Sequence, residues 1–316
     1  MKKLQRLALA AAGFGLIAAS VSSIPANAGK TDPKPWSART GQSNSAKAAA
    51  AACLTSVAYP TAAGTLESTD VTAGKPPVAD PYKPFKFVGT RANATWYGAV
   101  NAAGTQVYYY GLLLQGSSLY RHTTYVYDDA RDPVATFKKV GTGWTSFKSI
   151  ATSNYSVAAP RHAYLYGLNT NGSLYRYAIV GAGFKSLGSF PGFRGFKTMT
   201  VISETATYDT LLMTTTAGAL WTVRIPVAAP TKPILKRIRT GGWQNFESLV
   251  VDGCGTRGGS LIVAVDNDTQ TGTLYAMSKA NGAATAITSY GRIPGVVFNG
   301  VNHVLLTTHY DQLVGE

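Results

Sequence analysis

Three short stretches of the chain place an aromatic residue three positions before a Phe, and each could offer a ring to a ligand. They are Gly143-Trp144-Thr145-Ser146-Phe147, Gly192-Phe193-Arg194-Gly195-Phe196 and Gly242-Trp243-Gln244-Asn245-Phe246. The apolar C–H faces of a sugar stack on aromatic rings, while its hydroxyls need amide and backbone partners. The candidate carbohydrate-binding residues are therefore Trp144, Phe193, Trp243, Gln244 and Asn245. The alternative is that a repeated aromatic fills the core between structural units, and the sequence leaves both interpretations open.

Residues suited to catalysis are scarce. The chain has 4 His and 2 Cys, and it contains no G-x-S-x-G, H-E-x-x-H or phosphate-binding-loop pattern. Ser149, Thr198 and Ser248 recur at one position of the repeated motif, and such repetition indicates structure rather than one catalytic centre. The stretch 266–269 lacks the later Gly and Glu of an EF-hand loop, which favours an ordinary turn over a calcium site. We expect no enzymatic activity, no metal and no cofactor.

A second motif alternates with the first: a small residue, any residue, Leu, and usually an aromatic. Its copies are Ser117-Ser118-Leu119-Tyr120, Gly172-Ser173-Leu174-Tyr175, Gly218-Ala219-Leu220-Trp221, Gly272-Thr273-Leu274-Tyr275 and the degenerate Asp311-Gln312-Leu313-Val314. Together the motifs mark five units of about 46 residues within 85–316. Each unit reads as several short strands between Asn, Asp and Gly turns, which is typical of propeller blades. The predicted fold is all-β, a five-bladed β-propeller closed by an N-terminal strand near residues 85–100.

The motifs carry a family resemblance. Gly241-Gly242-Trp243-Gln244-Asn245-Phe246, followed by a hydrophobic strand and then Leu274-Tyr275-Ala276, resembles tachylectin-type lectins. The resemblance covers residues 85–316 and implies a five-bladed propeller that binds N-acetylated amino sugars between adjacent blades. The units here are uneven, with inserts at 128–133 and 251–260, so fewer than five sites are expected. We expect a non-catalytic, lectin-like protein that binds surface or cell-wall glycans.

The first 28 residues have the pattern of a secretory signal peptide. Lys2, Lys3 and Arg6 precede an apolar stretch, and Ala26-Asn27-Ala28 provides a small-x-small cleavage site. The apolar stretch is rich in Ala and shorter than the roughly 20 residues of a spanning helix. We expect a mature product that is secreted or associated with the cell surface, with no transmembrane segment.

Residues 29–84 differ in composition from the rest of the chain. They are rich in Ala, Thr and Pro, and they contain few bulky apolar residues. Such a segment buries too little surface to offset the entropy lost on ordering. The sequence therefore predicts a low-complexity tail or linker before the propeller domain at 85–316.

The two cysteines, Cys53 and Cys254, lie 201 positions apart. Export favours a disulfide between them, and the bridge would fasten the predicted tail to the globular body. Two unpaired thiols are the alternative. Neither cysteine lies in a recognisable nucleophile motif.

Positive charge is the remaining signal. The chain has 29 Lys and Arg against 15 Asp and Glu, a net charge of +14. A candidate basic patch comprises Lys232, Lys236, Arg237 and Arg239, and such a patch attracts anionic polymers. An exported protein seldom meets nucleic acid, so we expect none as partner. The alternative function is a structural or adhesive surface protein, bound to anionic envelope polymer through its basic face, with vestigial sugar pockets. The protein is expected to be a monomer.

Overall fold

The computed structural model describes residues 33–34, 53–129, 131–229, 231–254, 258–308 and 313–316. These ranges contain 21 β-strands, and the predicted all-β fold is confirmed. The predicted signal peptide lies outside the described residues, as do residues 29–32 and 35–52 of the predicted linker. Within the described ranges, no helix combines the length and the apolar character needed to cross a membrane.

The strands form five antiparallel groups, which we call units. Unit 1 contains β1 (Leu54–Pro60), β2 (Thr65–Thr72), β3 (Val78–Lys86) and the C-terminal β21 (Val304–Thr307). Unit 2 contains β4 (Ala92–Asn93), β5 (Trp96–Val100), β6 (Gln106–Gln115), β7 (Ser118–Tyr127) and β8 (Val134–Thr142). Unit 3 contains β9 (Phe147–Tyr155), β10 (His162–Asn169), β11 (Leu174–Val180) and β12 (Gly183–Phe190). Unit 4 contains β13 (Phe196–Glu204), β14 (Tyr208–Thr215), β15 (Leu220–Pro226) and β16 (Ile234–Arg239). Unit 5 contains β17 (Ser248–Cys254), β18 (Gly259–Asp266), β19 (Thr271–Met277) and β20 (Ile287–Arg292).

One strand of each unit lies innermost, and these strands contact each other in a closed ring. The order is β21, then β5 with its short neighbour β4, then β9, β13, β17 and again β21. The ring closes where β21 pairs antiparallel with β1 and parallel with β5, which merges units 1 and 2 into one nine-stranded sheet. Buried apolar side chains fill the space between successive units.

The two sequence motifs occupy equivalent places and bind each other. The Leu motif opens β7, β11, β15 and β19, and the aromatic motif leads into the first strand of units 3–5. The backbone N–H of the aromatic residue donates to the carbonyl of the small residue in the preceding unit. The pairs are Trp144 to Ser117 at 3.0 Å, Phe193 to Gly172 at 2.8 Å and Trp243 to Gly218 at 3.0 Å, with Ile293 to Gly272 at 2.8 Å completing the series. The two motifs therefore join neighbouring units through a repeated backbone hydrogen bond.

The predicted linker is wrong for residues 54–84, because β1, β2 and most of β3 lie there. The physical reason is the spacing of a few apolar residues rather than their number. Val57, Leu66, Val71 and Tyr82 are all buried, and they pack into two cores shared with units 2 and 5. Apolar side chains of units 2 and 5 therefore complete the cores in which this segment, with few apolar residues of its own, is buried.

The predicted ring closure is also wrong in its direction. No strand near residues 85–100 completes a C-terminal unit. Instead the C-terminal strand β21 supplies the innermost strand of the N-terminal unit, beside β1–β3. The last motif copy does not open a strand of unit 1 either, since Val314 forms a bridge with Ser203 of β13. The predicted disulfide is confirmed: Cys53 and Cys254 are bonded, with Cα atoms 5.6 Å apart, and they join unit 1 to unit 5.

Candidate functional site

The aromatic rings singled out from the sequence lie in the core. Trp144, Phe193 and Trp243 are only 6%, 2% and 5% exposed. Trp144 packs on Phe147 with ring centroids 4.5 Å apart, and Trp243 packs on Tyr275 at 5.0 Å. These rings therefore fill space between units. The prediction that they contact a sugar is wrong, because they are buried.

The two polar candidates beside Trp243 are exposed but engaged in their own turn. The side-chain oxygen of Gln244 accepts the N–H of Gly242 at 3.2 Å, and the backbone carbonyl of Gln244 accepts the Lys197 ammonium. Asn245 is exposed in the same turn. The structure does not bring these residues together with an open aromatic face.

A cleft of about 520 Å³ instead opens between units 2 and 3. Four tyrosines of unit 2 line it, and polar and small residues of both units complete it. The tyrosines are Tyr97, Tyr108, Tyr110 and Tyr125; the other lining residues are Thr95, Gly111, Leu112, Arg121, Thr123, Thr152, Ser153, Asn154, Ala163, Ile179 and Gly181. We call this site the tyrosine cleft.

The four tyrosine rings form a continuous aromatic wall. Ring centroids of Tyr97 and Tyr110 lie 6.3 Å apart, those of Tyr108 and Tyr110 lie 6.3 Å apart, and those of Tyr108 and Tyr125 lie 6.5 Å apart. All four side chains are half-buried, so part of each ring faces the cleft. Such a wall offers stacking surface for the apolar face of a ligand.

Strand alternation and small facing residues create this wall. Successive strand residues point to opposite faces, so Tyr108 and Tyr110 share one face of β6 while Tyr109 enters the core. On the opposite side of the cleft, unit 3 presents Ala163 and Gly181. Their small size leaves the space between the units unfilled.

Polar side chains bridge the tyrosine cleft and line its floor. Arg121 reaches from β7 to unit 3, where its Nη2 donates to the carbonyl of Gly181 at 3.3 Å. Ser153 and Asn154 line the floor, and Thr123 and Thr152 add hydroxyls. The cleft thus combines rings with side-chain donors and acceptors, the composition that suits polyhydroxylated ligands.

Two buried carboxylates support the floor from below. Glu204 accepts the N–H of Asn154 at 2.9 Å and the hydroxyl of Tyr97 at 3.5 Å. Asp209 accepts the hydroxyls of Ser153 at 2.5 Å and Tyr166 at 2.7 Å. The carboxylates thereby fix the orientation of three groups that line the cleft.

Burial raises the pKa of Glu204 to about 7, and the nearby Asp209 charge adds to the rise. Its hydrogen bonds from Asn154 and Tyr97 act in the opposite direction. His162 also contacts this network, with its Nε2 lying 2.9 Å from Asp209 Oδ1. Burial beside the Glu204 charge raises the pKa of Tyr97 well above its usual value, so its hydroxyl stays protonated and able to donate.

The candidate basic patch does not form one face. Lys232, Lys236 and Arg237 are exposed, but Lys236 and Arg237 are adjacent on β16 and point to opposite sides of the strand. Arg239 is occupied internally, since it donates to the carbonyls of Ile238 and Thr285, each at 2.8 Å.

The turn at 266–269 is held by the carboxylates of Asp266 and Glu247. The N–H of Thr269 donates to Asp266 Oδ1 at 3.0 Å, and the N–H of Asn267 donates to Glu247 at 3.0 Å. In the part of the chain that the structure describes, no group of three or more His, Cys, Asp or Glu residues could hold a metal ion.

The tyrosine cleft was not predicted from the sequence. The alternation of Tyr108, Tyr109 and Tyr110 is visible in the sequence and predicts a strand with tyrosine on both faces. The other signal for the cleft is the tyrosine density of unit 2, because all four tyrosines that line the cleft fall within 97–125.

Comparison with known proteins gives no family. No protein-family model matches the chain, and no curated protein is similar to it. Among solved structures, the chain is similar to an α-L-arabinofuranosidase from Podospora anserina in complex with cellotriose, with 14% identity, 66% of this chain and 70% of that chain covered and a TM-score of 0.45. It is also similar to the six-bladed fucose-binding lectin from Aleuria aurantia, with 12% identity, 77% and 79% covered and a TM-score of 0.41. A leech intramolecular trans-sialidase is similar with 6% identity, 77% and 61% covered and a TM-score of 0.40. Because all three TM-scores lie below 0.5, we transfer no site residue from these proteins.

Proposed function

We propose that the protein is a secreted, non-catalytic, lectin-like five-bladed β-propeller, in which units 1–5 are the blades. The tyrosine cleft carries this proposal. It lies between adjacent units, offers the half-buried rings of four tyrosines, and brings Arg121 and Asn154 within reach of the same ligand. Tyrosine supplies large contact area with few rotatable bonds, so little conformational entropy is lost on binding.

The cleft is sized for one or two sugar rings. A volume of about 520 Å³ falls inside the roughly 300–1,000 Å³ range of small-molecule sites. Hydroxyl groups of Thr123, Thr152 and Ser153 supply both donors and acceptors to a sugar. Apolar lining from Leu112 and Ile179 suits the methyl of an acetamido group. These features and the motif resemblance support N-acetylated amino sugars in surface or cell-wall glycans as the ligands.

The carboxylates beneath the cleft favour binding over hydrolysis. Glycosidases place two carboxyl groups on either side of the scissile bond. Glu204 and Asp209 are 5% and 0% exposed, and their oxygens already accept protein donors. In this arrangement they position Asn154, Ser153 and Tyr166 rather than meet a substrate.

Export is part of the proposal and rests on the sequence pattern of residues 1–28. The disulfide between Cys53 and Cys254 supports it, because such bonds persist in oxidising compartments.

Binding to sugar is the direct test. Calorimetric titration with N-acetylglucosamine and its short oligomers should give saturable binding at millimolar or lower concentration. A glycan array then defines which linkage is preferred. Absence of binding to any array glycan would sink the lectin proposal, and release of free sugar from a chromogenic glycoside would sink its non-catalytic part.

The alternative is an adhesive surface protein that binds anionic envelope polymer by charge. The net charge of +14 favours it, although the four residues of the candidate patch are not on one face. Ionic strength separates the two functions. Binding through exposed charges weakens steeply as salt is raised, whereas stacking in the tyrosine cleft changes little.

A further inference from the structure

A second cavity, of about 290 Å³, lies where the innermost strands begin. Each unit contributes a polar side chain, within two residues of the start of its innermost strand or, in unit 2, just before β4. These residues, which we call the ring pentad, are Arg91, Lys148, Lys197, Glu247 and Asn302. The cavity lies at the start of the innermost strands, whereas Glu204 is the last residue of β13. It is therefore separate from the carboxylates that floor the tyrosine cleft.

Four members of the ring pentad donate hydrogen bonds to a neighbouring unit, which links unit 1 to 2, 2 to 3, 3 to 4 and 4 to 5. Arg91 of unit 2 donates to the carbonyls of Phe147 and Trp144, which precede or begin β9 of unit 3. Lys148 of unit 3 donates to the carbonyl of Phe196 in unit 4.

The remaining members continue the pattern. Lys197 of unit 4 donates to the Gln244 carbonyl and to Glu247 Oε1 at 2.8 Å. Asn302 donates to the carbonyl of Thr90 at 3.2 Å. Together with the hydrogen bond from Asn267 of unit 5 to the carbonyl of Val301, which precedes β21, these contacts join the ring of strands at this end.

The cavity carries excess positive charge. Three of the pentad side chains are cationic, and the single carboxylate among them, Glu247, is paired with Lys197. Among the described residues, neither Arg91 nor Lys148 has a carboxylate within salt-bridge distance. Backbone carbonyls satisfy their donors without cancelling their charge. Partial burial lowers the pKa of Lys148 and that of Arg91, because removal from water penalises the charged forms.

Hydrogen-bonding groups around the cations select among anions. Ser149, Thr198 and Ser248, the recurring Ser/Thr position, line the cavity with hydroxyls. The buried side-chain oxygens of Asn93 and Asn267 also belong to cavity-lining residues, and within the described ranges neither oxygen has a hydrogen-bond partner. Both amide NH₂ groups are already committed, to Asn302 and to the carbonyl of Val301, respectively, so both oxygens need a donor.

We propose that this cavity binds a phosphate group, either inorganic phosphate or a phosphomonoester. Arg91 and Lys148 supply the positive charge, and the Ser and Thr hydroxyls donate to the phosphate oxygens. A phosphate near neutral pH also carries an O–H or an ester substituent with hydroxyls, which can satisfy an unpaired Asn oxygen. Sulfate has the same shape and no proton to donate, so it should bind more weakly.

The test is titration of the full chain with inorganic phosphate, glycerol phosphate and sulfate at constant ionic strength. Wild-type protein should bind phosphate saturably, with sulfate at least about tenfold weaker. Tighter binding of glycerol phosphate than of inorganic phosphate would identify a phosphomonoester as the ligand, and the reverse would identify free phosphate. Absence of saturable phosphate binding to the wild type overturns the proposal, whatever the variants do.

Matched variants locate the site. Lys148→Gln should weaken phosphate binding at least about tenfold, while Lys139→Gln, an exposed lysine on β8, should leave it unchanged. Lys148→Arg retains charge and donors and should retain binding, which guards against misfolding of the first variant. Equal losses in Lys148→Gln and Lys139→Gln would overturn the assignment. Sugar binding at the tyrosine cleft is measured separately, so failure of either proposal is recognised without the other.

Discussion

Arg121 of unit 2 spans the tyrosine cleft and donates to the carbonyl of Gly181 in unit 3, with Nη2 and oxygen 3.3 Å apart. The contact is long for a hydrogen bond, and a guanidinium has five N–H donors, so others remain for a ligand. The same side chain therefore holds one wall of the cleft against the other and presents charge inside it.

Arg121→Gln should reduce sugar affinity about tenfold, because it removes a charged donor from the cleft. The free energy of unfolding should change by less than about 1 kcal/mol, since the bridge is partly exposed. Titration and urea unfolding check these values. Arg161→Gln, an exposed arginine of unit 3, serves as the control. Unchanged sugar affinity in Arg121→Gln would remove this residue from the binding site.

Gly218 is a position in unit 4 that requires glycine. Its φ is +85°, and an added Cβ would collide with the side-chain oxygen of Gln244 and lie 3.0 Å from its backbone nitrogen. Gly218→Ala should lower the free energy of unfolding by about 1–3 kcal/mol. Gly241→Ala is the matched control, because an added Cβ there meets nothing within 4 Å. Equal stability of the two variants in urea unfolding would contradict this role.

The disulfide should stabilise the ring as a whole. Cys53 begins unit 1 and Cys254 ends β17 of unit 5, 201 positions apart. Chain entropy alone gives the bridge up to about 5 kcal/mol. The double variant Cys53→Ser, Cys254→Ser should therefore unfold at a clearly lower temperature under calorimetry. Wild-type protein kept in reductant should behave like the variant, and a melting temperature indifferent to both changes would refute the prediction.

The motifs allow units 2–5 to be predicted because each copy makes the same contacts. The N–H of Trp144, Phe193 or Trp243 binds the preceding unit, and a Phe three positions later packs in the core or against it. Unit 1 could not be predicted in this way. Its strands β1–β3 carry no copy of either motif, and its innermost strand arrives from the other end of the chain.

The candidate site was harder to predict than the fold. Repetition marked Trp144 and Trp243, yet a residue that repeats does so because it packs the same way in each unit. The cleft arises between units 2 and 3, and the opening depends on Ala163 and Gly181 of unit 3. Local sequence shows that Tyr108 and Tyr110 share a face, and only the packing of two units shows that this face is open.

Glu204 should make stability depend on pH. Its folded-state pKa of about 7 lies above the ordinary value of 4.5, so the folded state binds more protons between these values. The resulting contribution is fully present below pH 4.5 and is lost as pH rises through 7, by about 3 kcal/mol in total. His122 and His303 act in the opposite sense, because burial lowers the pKa of each to about 3.

The difference between wild type and Glu204→Gln isolates this carboxyl group, since the histidines are common to both proteins. Urea unfolding between pH 4.5 and 8 should show the variant gaining stability relative to wild type as pH rises. A difference that stays constant across that range would show that Glu204 ionises at its ordinary pKa.

The most direct test of the proposed function is titration of cleft variants with N-acetylglucosamine oligomers. Tyr108→Ala and Tyr125→Ala should each weaken binding at least about tenfold, because each removes a ring from the aromatic wall. Tyr127→Ala changes the same residue type on β7, outside the cleft lining and beneath Arg131, and should bind like the wild type. Circular dichroism verifies that all three variants are folded. Wild-type affinity in Tyr108→Ala and Tyr125→Ala would contradict sugar binding in the tyrosine cleft.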